Sequence, residues 1–130
     1  MASSSSKIIY NIENKNIFAE ILKQNPGVIV IKFGAEWCRP CKMIESDVVQ
    51  YMEKMPSTVQ CYIIDVDESI ELYGFLKQKR MINGIPAIFA YYKGNLNYVP
   101  DDIVVGADKS QIRMFFERCI EHLQQHQQQS

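Results

Sequence analysis

Two cysteines three positions apart, Cys38 and Cys41, stand in the segment Trp37-Cys38-Arg39-Pro40-Cys41. The apolar run Val28-Ile29-Val30-Ile31-Lys32-Phe33 leads into them. This pattern suits reversible exchange between a dithiol and a disulfide, in which a thiolate is the nucleophile. The site must therefore hold sulfur as an anion near neutral pH. A helix N-terminus does so with unpaired amide N–H groups and the positive end of the macrodipole. That effect, roughly 0.3–2 kcal/mol, lowers a free thiol from near 8.5 by about 0.2–1.5. Arg39 adds a fixed positive charge that pushes the same way. Pro40 fits a first helical turn, where it has no N–H to lose. One turn further in, Cys41 shares the face of Cys38 but lies deeper. Cys38 is thus expected to be the exposed attacking thiol, and Cys41 the thiol that resolves the mixed disulfide.

The elements that must hold this pair follow from periodicity and turn chemistry. Lys7 to Tyr10 reads as an edge strand. Asn14 to Gln24 carries Ile17, Phe18, Ile21 and Leu22 on one helical face, and Pro26-Gly27 stops it. Val28 to Phe33 reads as a central strand covered on both faces. A helix from near Cys38 to about Met55 presents Met43, Ile44, Val48 and Tyr51. Val59 to Val66 is a strand, and Asp67 is placed to cap a helix from Glu68 to about Lys79 with Ile70, Tyr73 and Leu76 inward. Ala87 to Tyr92 is a strand, Lys93-Gly94-Asn95 a tight turn, and Leu96 to Val99 its expected antiparallel partner. Asp108-Lys109-Ser110-Gln111 has the form of a capping box ahead of the stripe Ile112, Phe115, Phe116, Cys119, Ile120 and Leu123. Strands alternating with helices and ending in a hairpin make an α/β protein with a partly parallel sheet.

A chain of 130 residues fits one domain. Its net charge of −1 gives no electrostatic case for binding nucleic acid or an anionic membrane. No run approaches the ~18 apolar residues of a membrane span, and Met1 to Ser6 lacks the apolar core of a signal peptide. Residues 1–6 are expected to be a disordered lead-in, residues 7–123 the folded domain, and residues 124–130 a polar, fraying tail. A cytoplasmic location is expected. Four cysteines at these spacings do not suggest a secreted disulfide framework. The alternative chemistry for Cys38 and Cys41 is half of a zinc site, which needs two more ligands from Cys61, Cys119, His122 and His126. Cys61 lies in an apolar strand and Cys119 on an apolar stripe, and His122 and His126 lack the glutamate of a metalloprotease helix. No metal and no cofactor is expected.

The segment from Phe33 to Lys42 resembles the active-site segment of thioredoxins. The resemblance covers residues 7–123 and includes three further features. They are the aspartate-rich strand end Ile64-Asp65-Val66-Asp67, the loop Gly84-Ile85-Pro86-Ala87, and Val105-Gly106-Ala107 ahead of the last helix. It implies the thioredoxin fold, a central mixed β-sheet with Val28–Phe33 in the middle and helices on both faces. For Ile85-Pro86 it implies a cis bond, although only about 5–6% of such bonds are cis in general. Pro86 would then stand against the sulfurs, leaving the Ile85 backbone to pair with an extended client segment. Gly84 and Gly106 fit the same surface, where another backbone approaches, and each also reads as an ordinary turn glycine. Trp37 reads as a rim residue or a core tryptophan; the resemblance adds that it shields the disulfide.

This sequence departs from the family at Lys32, where efficient reductases usually carry a buried aspartate that accepts the proton of the resolving thiol. Ile63 likewise stands where a lysine partner for that aspartate is common. Two arrangements are open for Lys32, bending out to solvent along its apolar stem or staying close and tuning Cys41 by charge. Arg39 replaces a more usual glycine and favours the thiolate, hence a more oxidising couple. The segment Asn95 to Asp102 is longer than the usual hairpin return, with Pro100-Asp101-Asp102 as a partner contact or a tolerated insertion. The resemblance implies a thiol–disulfide oxidoreductase, monomeric, that reduces disulfide-containing client proteins and is recharged by a thioredoxin reductase or glutathione. The alternatives are a disulfide oxidase or isomerase, and a non-catalytic redox-sensing interaction module.

Overall fold

The computed structural model describes residues 8–129, so Lys7 and the expected lead-in over residues 1–6 lie outside the described residues. The chain runs β1 (Ile8–Ile9), α1 (Lys15–Lys23), β2 (Val28–Gly34), α2 (Arg39–Glu53), β3 (Val59–Asp65), α3 (Ile70–Gln78), β4 (Ala87–Tyr92), β5 (Asp102–Val105) and α4 (Lys109–Gln129). The five strands lie in the order β1-β3-β2-β4-β5. β1 and β2 pair parallel with β3, whereas β4 pairs antiparallel with both β2 and β5. All seven residues of β2 are buried, as expected of a middle strand with a layer on each face. The fold class is the one the resemblance implies, a mixed sheet between helices.

Alternation along β2 splits the core in two. Ile29, Ile31 and Phe33 join Phe18 and Leu22 of α1 and Leu72 and Leu76 of α3. Val28 and Val30 join Ile44, Val48 and Met52 of α2 and Ile112, Phe115, Phe116 and Cys119 of α4. Each fully buried aliphatic or aromatic side chain contributes roughly 1.5–3 kcal/mol. The sheet is therefore clamped from both sides, and the C-terminal end of β2 delivers the cysteine segment from a rigid base.

Several local expectations need correction. Leu96 to Val99 is not a strand; Asp102–Val105 is the partner of β4. The intervening backbone is captured by side chains instead. Asn95 Oδ1 accepts the Asn97 N–H at 2.8 Å, Asn97 Oδ1 accepts the Val99 N–H at 3.0 Å, and Asn95 Nδ2 donates to the Val99 carbonyl at 3.0 Å. Such local bonds compete directly with a sheet ladder. Asp101 and Asp102 are likewise used internally: Asp101 Oδ2 accepts the Tyr92 N–H at 2.7 Å, and Asp102 grips Arg118 of α4. In α3, Ile70 is exposed, and Leu72 is buried with Leu76. Met43 of α2 is exposed and Met52 takes the buried place. Ile17 of α1 also faces solvent. Asp108 caps α4 as expected, accepting the Gln111 N–H at 3.0 Å. The helix then continues through Gln129, past the end of its apolar stripe.

Candidate active site

Helix α2 begins on the first cysteine. Cys38 is its N-cap, with extended backbone at φ −89° and ψ 105°, and its Sγ accepts the Cys41 N–H at 3.2 Å. The Cys38 carbonyl accepts the Lys42 N–H at 3.2 Å, so the helix ladder starts there. Pro40 sits within the first turn, and no acidic residue occupies that turn to oppose an anion. Cys38 and Cys41 are joined as a disulfide with their Cα atoms 5.2 Å apart. One expectation fails here: Cys38 is not exposed. It is 5% accessible, against 2% for Cys41, and it packs in the buried cluster with the Ile85 carbonyl oxygen 3.9 Å from its sulfur. Trp37, Arg39 and Pro40 are the exposed residues of the segment, and Arg39 has no ion pair among the described residues.

The loop ahead of β4 forms the opposite wall. The Ile85–Pro86 bond is cis and Pro86 is buried, and the Pro86 carbonyl accepts the Gly106 N–H at 2.9 Å. Gly106 has φ +98°, a conformation that favours glycine, and nothing lies within 4 Å of the place its Cβ would occupy. The same open space exists at Gly84. Gly84, Ile85, Pro86 and Gly106 thus make a shelf beside the disulfide. Trp37 stands at the rim, 70% exposed, so it is no core tryptophan. Its Nε1–H donates to Asp67 Oδ2 at 2.8 Å. Asp67 therefore orients the tryptophan rather than capping α3, whose N-cap is Ser69 without a side-chain capping bond. The Asp67 N–H in turn donates to Asp65 Oδ1 at 2.8 Å. The aspartate-rich strand end carried this signal, but helix-capping preference claimed Asp67 first.

Lys32 points inward and is 3% exposed. Its neighbours across the sheet are Ile63 on β3 and Ile88 on β4. Nζ and Cys41 Sγ each lie 3.3 Å from the position a Gly34 Cβ would take, so Gly34 is the opening across which lysine and sulfur face each other. Sequence reasoning passed over Gly34, whose signal was a glycine in an otherwise bulky strand. A cleft of about 350 Å³ opens here, lined by Lys32, Cys41, Tyr10, Glu45, Asp65 and Glu68. Burial holds the Lys32 pKa below that of an ordinary lysine; the charge of Glu45 works against this and that of Lys42 adds to it. At the mouth, Lys42 pairs with Glu36 at 2.8 Å, and this bond lowers the Glu36 pKa.

The other candidate ligands for a zinc ion lie apart. Cys61 and Cys119 pack in the α2/α4 core, where burial pushes the Cys119 thiol up to about 12. His122 stacks on Tyr92 with ring centroids 3.6 Å apart. What the site brings together is a disulfide at a helix N-terminus, a cis-proline loop, an oriented tryptophan and a buried amine.

A family model described as Thioredoxin matches residues 9–118. Among curated proteins the chain is similar to Thioredoxin 3 of Plasmodium falciparum, at 30% identity over 94 residues. That match covers 72% of this chain and 49% of the relative, so the chain spans about half of that relative's length. It is also similar to the thioredoxin of Pseudomonas aeruginosa, at 27% identity over 116 residues covering 88% of this chain and 99% of the relative. The solved structure of Trichomonas vaginalis thioredoxin aligns with a TM-score of 0.71 at 26% identity, covering 88% of this chain and 98% of that one.

Proposed function

The chain belongs to the thioredoxin family, and from that premise we propose that it is a thiol–disulfide oxidoreductase that reduces protein disulfides through Cys38 and Cys41. The observation that carries this reading is the Cys38–Cys41 disulfide on the first turn of α2, with the Cys41 N–H directed at Cys38 Sγ. In the reduced protein the Cys38 thiolate attacks one sulfur of a client disulfide, forms a mixed disulfide and releases the first client thiolate. Cys41 then attacks Cys38 Sγ, releases the second client thiolate and restores the Cys38–Cys41 bond. Two electrons pass to the client in each cycle, and a thioredoxin reductase or glutathione returns them. The cis Ile85–Pro86 loop beside the disulfide is where an extended client segment would lie along main chain, which suits many clients rather than one side-chain pattern.

A second reading is supported by the exposed charge of Arg39 beside Cys38. By favouring the thiolate it favours the reduced protein, and a couple poised that way donates disulfides more readily. Two assays separate the readings: reduction of a protein disulfide with NADPH and a thioredoxin reductase, and rescue of an oxidatively scrambled protein in glutathione buffer. A reductase shows sustained turnover in the first that vanishes in Cys38→Ser. Activity confined to the second assay transfers the assignment to an oxidase or isomerase. A Cys41→Ser trap that captures a single partner, with both assays silent, makes the chain an interaction module.

A further inference from the structure

Lys32 is 3% exposed and lines the cleft, and among the described residues it has no hydrogen-bonded or ion-paired partner, so an anion beside it would stabilise its charge. Its cross-strand neighbours Ile63 and Ile88 supply none. The charged and titratable groups around it are Glu45 and Lys42 of α2, Glu36 ahead of that helix, Tyr10 beyond β1, and Asp65 and Glu68 at and beyond the end of β3. Most of the carboxylates are engaged elsewhere. Lys42 takes Glu36 at 2.8 Å and Glu45 at 3.8 Å, and Asp65 Oδ1 accepts the Asp67 N–H. Glu68 lines the same cleft and Glu45 draws on the amine by charge, but the group that lies directly across Gly34 from it is the sulfur of Cys41. In the disulfide that sulfur carries no charge.

We propose that Lys32 is the counter-ion of the Cys41 thiolate, a positioning residue whose partner comes into being when the Cys38–Cys41 bond opens. This rests on the disulfide-exchange reading above. A dithiol reductant delivers two electrons, the Cys38–Cys41 bond breaks, and the reductant closes to a disulfide. Cys41 stays a thiolate beside the ammonium, so reduction takes up one proton fewer than it would next to an uncharged side chain; that proton remains in solvent. In the reverse direction the same thiolate attacks the mixed disulfide at Cys38, the client thiolate leaves and is protonated by water, and Lys32 keeps its proton throughout. Lys32 therefore stabilises the reduced pair and readies the resolving sulfur without touching the client.

The test equilibrates wild type, Lys32→Met and Lys32→Arg with glutathione redox buffers from about pH 6 to 9, the range in which thiols ionise. An opposite charge within ~4–6 Å shifts a thiol enough to change the equilibrium about tenfold or more. Lys32→Met is thus expected to disfavour the reduced form by about tenfold or more at the alkaline end, where Cys41 is ionised in both proteins, and by less at neutral pH. As pH rises from the value at which wild-type Cys41 ionises to the higher value at which the variant's does, the two equilibrium constants should separate by about tenfold per unit of pH, and they should coincide below that window. Lys32→Arg keeps the charge and should stay with wild type. A folded Lys32→Met with the wild-type constant and slope overturns the proposal. A second measurement does not depend on that variant folding: ultraviolet titration of Cys41 in Cys38→Ser, with Cys38→Ser/Cys41→Ser as blank. Cys41 ionising clearly below an ordinary thiol, near ~8.5, supports the pair, and a value at or above it overturns the pair. This titration needs no turnover, so a silent reductase assay and a failed counter-ion are separate results.

Discussion

At the scale of single residues, the chemistry is set by charges and hydrogen bonds that touch the sulfurs or their rim. Arg39 is exposed, without an ion pair among the described residues, and next to the attacking cysteine. Replacing it by glycine removes a charge that favours the thiolate, so the couple of Arg39→Gly should be more reducing than wild type. An exposed charge is screened, so the expected change in equilibrium constant is about twofold to tenfold, up to ~30 mV. Glutathione titration of the two proteins measures it, and coincident curves would remove Arg39 from the account. Trp37 is the sole tryptophan of the chain, so its fluorescence reports this rim alone. Asp67→Ala deletes the carboxylate that holds its Nε1–H, a bond worth about 0.5–1.5 kcal/mol. Lower fluorescence anisotropy and severalfold slower capture of a client disulfide are expected, with global stability little changed. Unaltered anisotropy would mean that packing, rather than Asp67, positions the ring.

At the scale of elements, β5 is a four-residue edge strand reached by an irregular segment, and Asp102 ties it to α4. Arg118 donates Nε–H to Asp102 Oδ2 at 2.7 Å and Nη2–H to Oδ1 at 3.0 Å, and the Asp102 side chain is only 16% exposed. Arg118→Leu leaves that half-buried carboxylate unpaired, and a loss of about 1–3 kcal/mol in denaturant unfolding is expected. Arg118→Leu/Asp102→Asn should recover part of it; equal losses in both proteins would mean that the clasp contributes little. Elements were legible in the sequence where one period dominated. β4 has the bounds expected from its apolar run, and the stripe of α4 is buried from Ile112 to Cys119. They were illegible where side chains answer the backbone locally, as Asn95 and Asn97 do, because a β-like run then closes on itself. In Ile70–Gln78 apolar residues surround the helix, so periodicity could not decide which face turns inward. The cysteine pair was legible from its spacing together with the further segments that carry the resemblance. The burial of Cys38 was not, because the loop that covers it arrives from 47 residues along the chain.

At the scale of the whole molecule, an amine buried in the sheet must leave a mark on stability, and that mark should depend on redox state. In the disulfide form burial lowers the Lys32 pKa, while in the unfolded chain it returns to about 10.5. Between the folded value and 10.5 the unfolded chain binds more protons, so this residue makes stability rise with pH. Below the folded value both states are protonated and the full cost of burying the ammonium is present. Lys32→Met removes that cost and keeps the volume in an apolar setting beside Ile63 and Ile88. The oxidised variant should therefore be more stable than oxidised wild type by ~1 kcal/mol, or a few degrees in Tm. That gain should be level at lower pH and shrink toward zero as pH rises to 10.5. In the reduced protein the Cys41 thiolate compensates the ammonium, so the same substitution should bring a smaller gain or a loss. Thermal unfolding of both proteins, oxidised and reduced, across that pH range gives four curves that decide the matter. A gain equal in both redox states would mean that the lysine is a burial cost unconnected with the sulfur; a gain confined to the disulfide form ties the cost of the amine in the sheet to the chemistry above it.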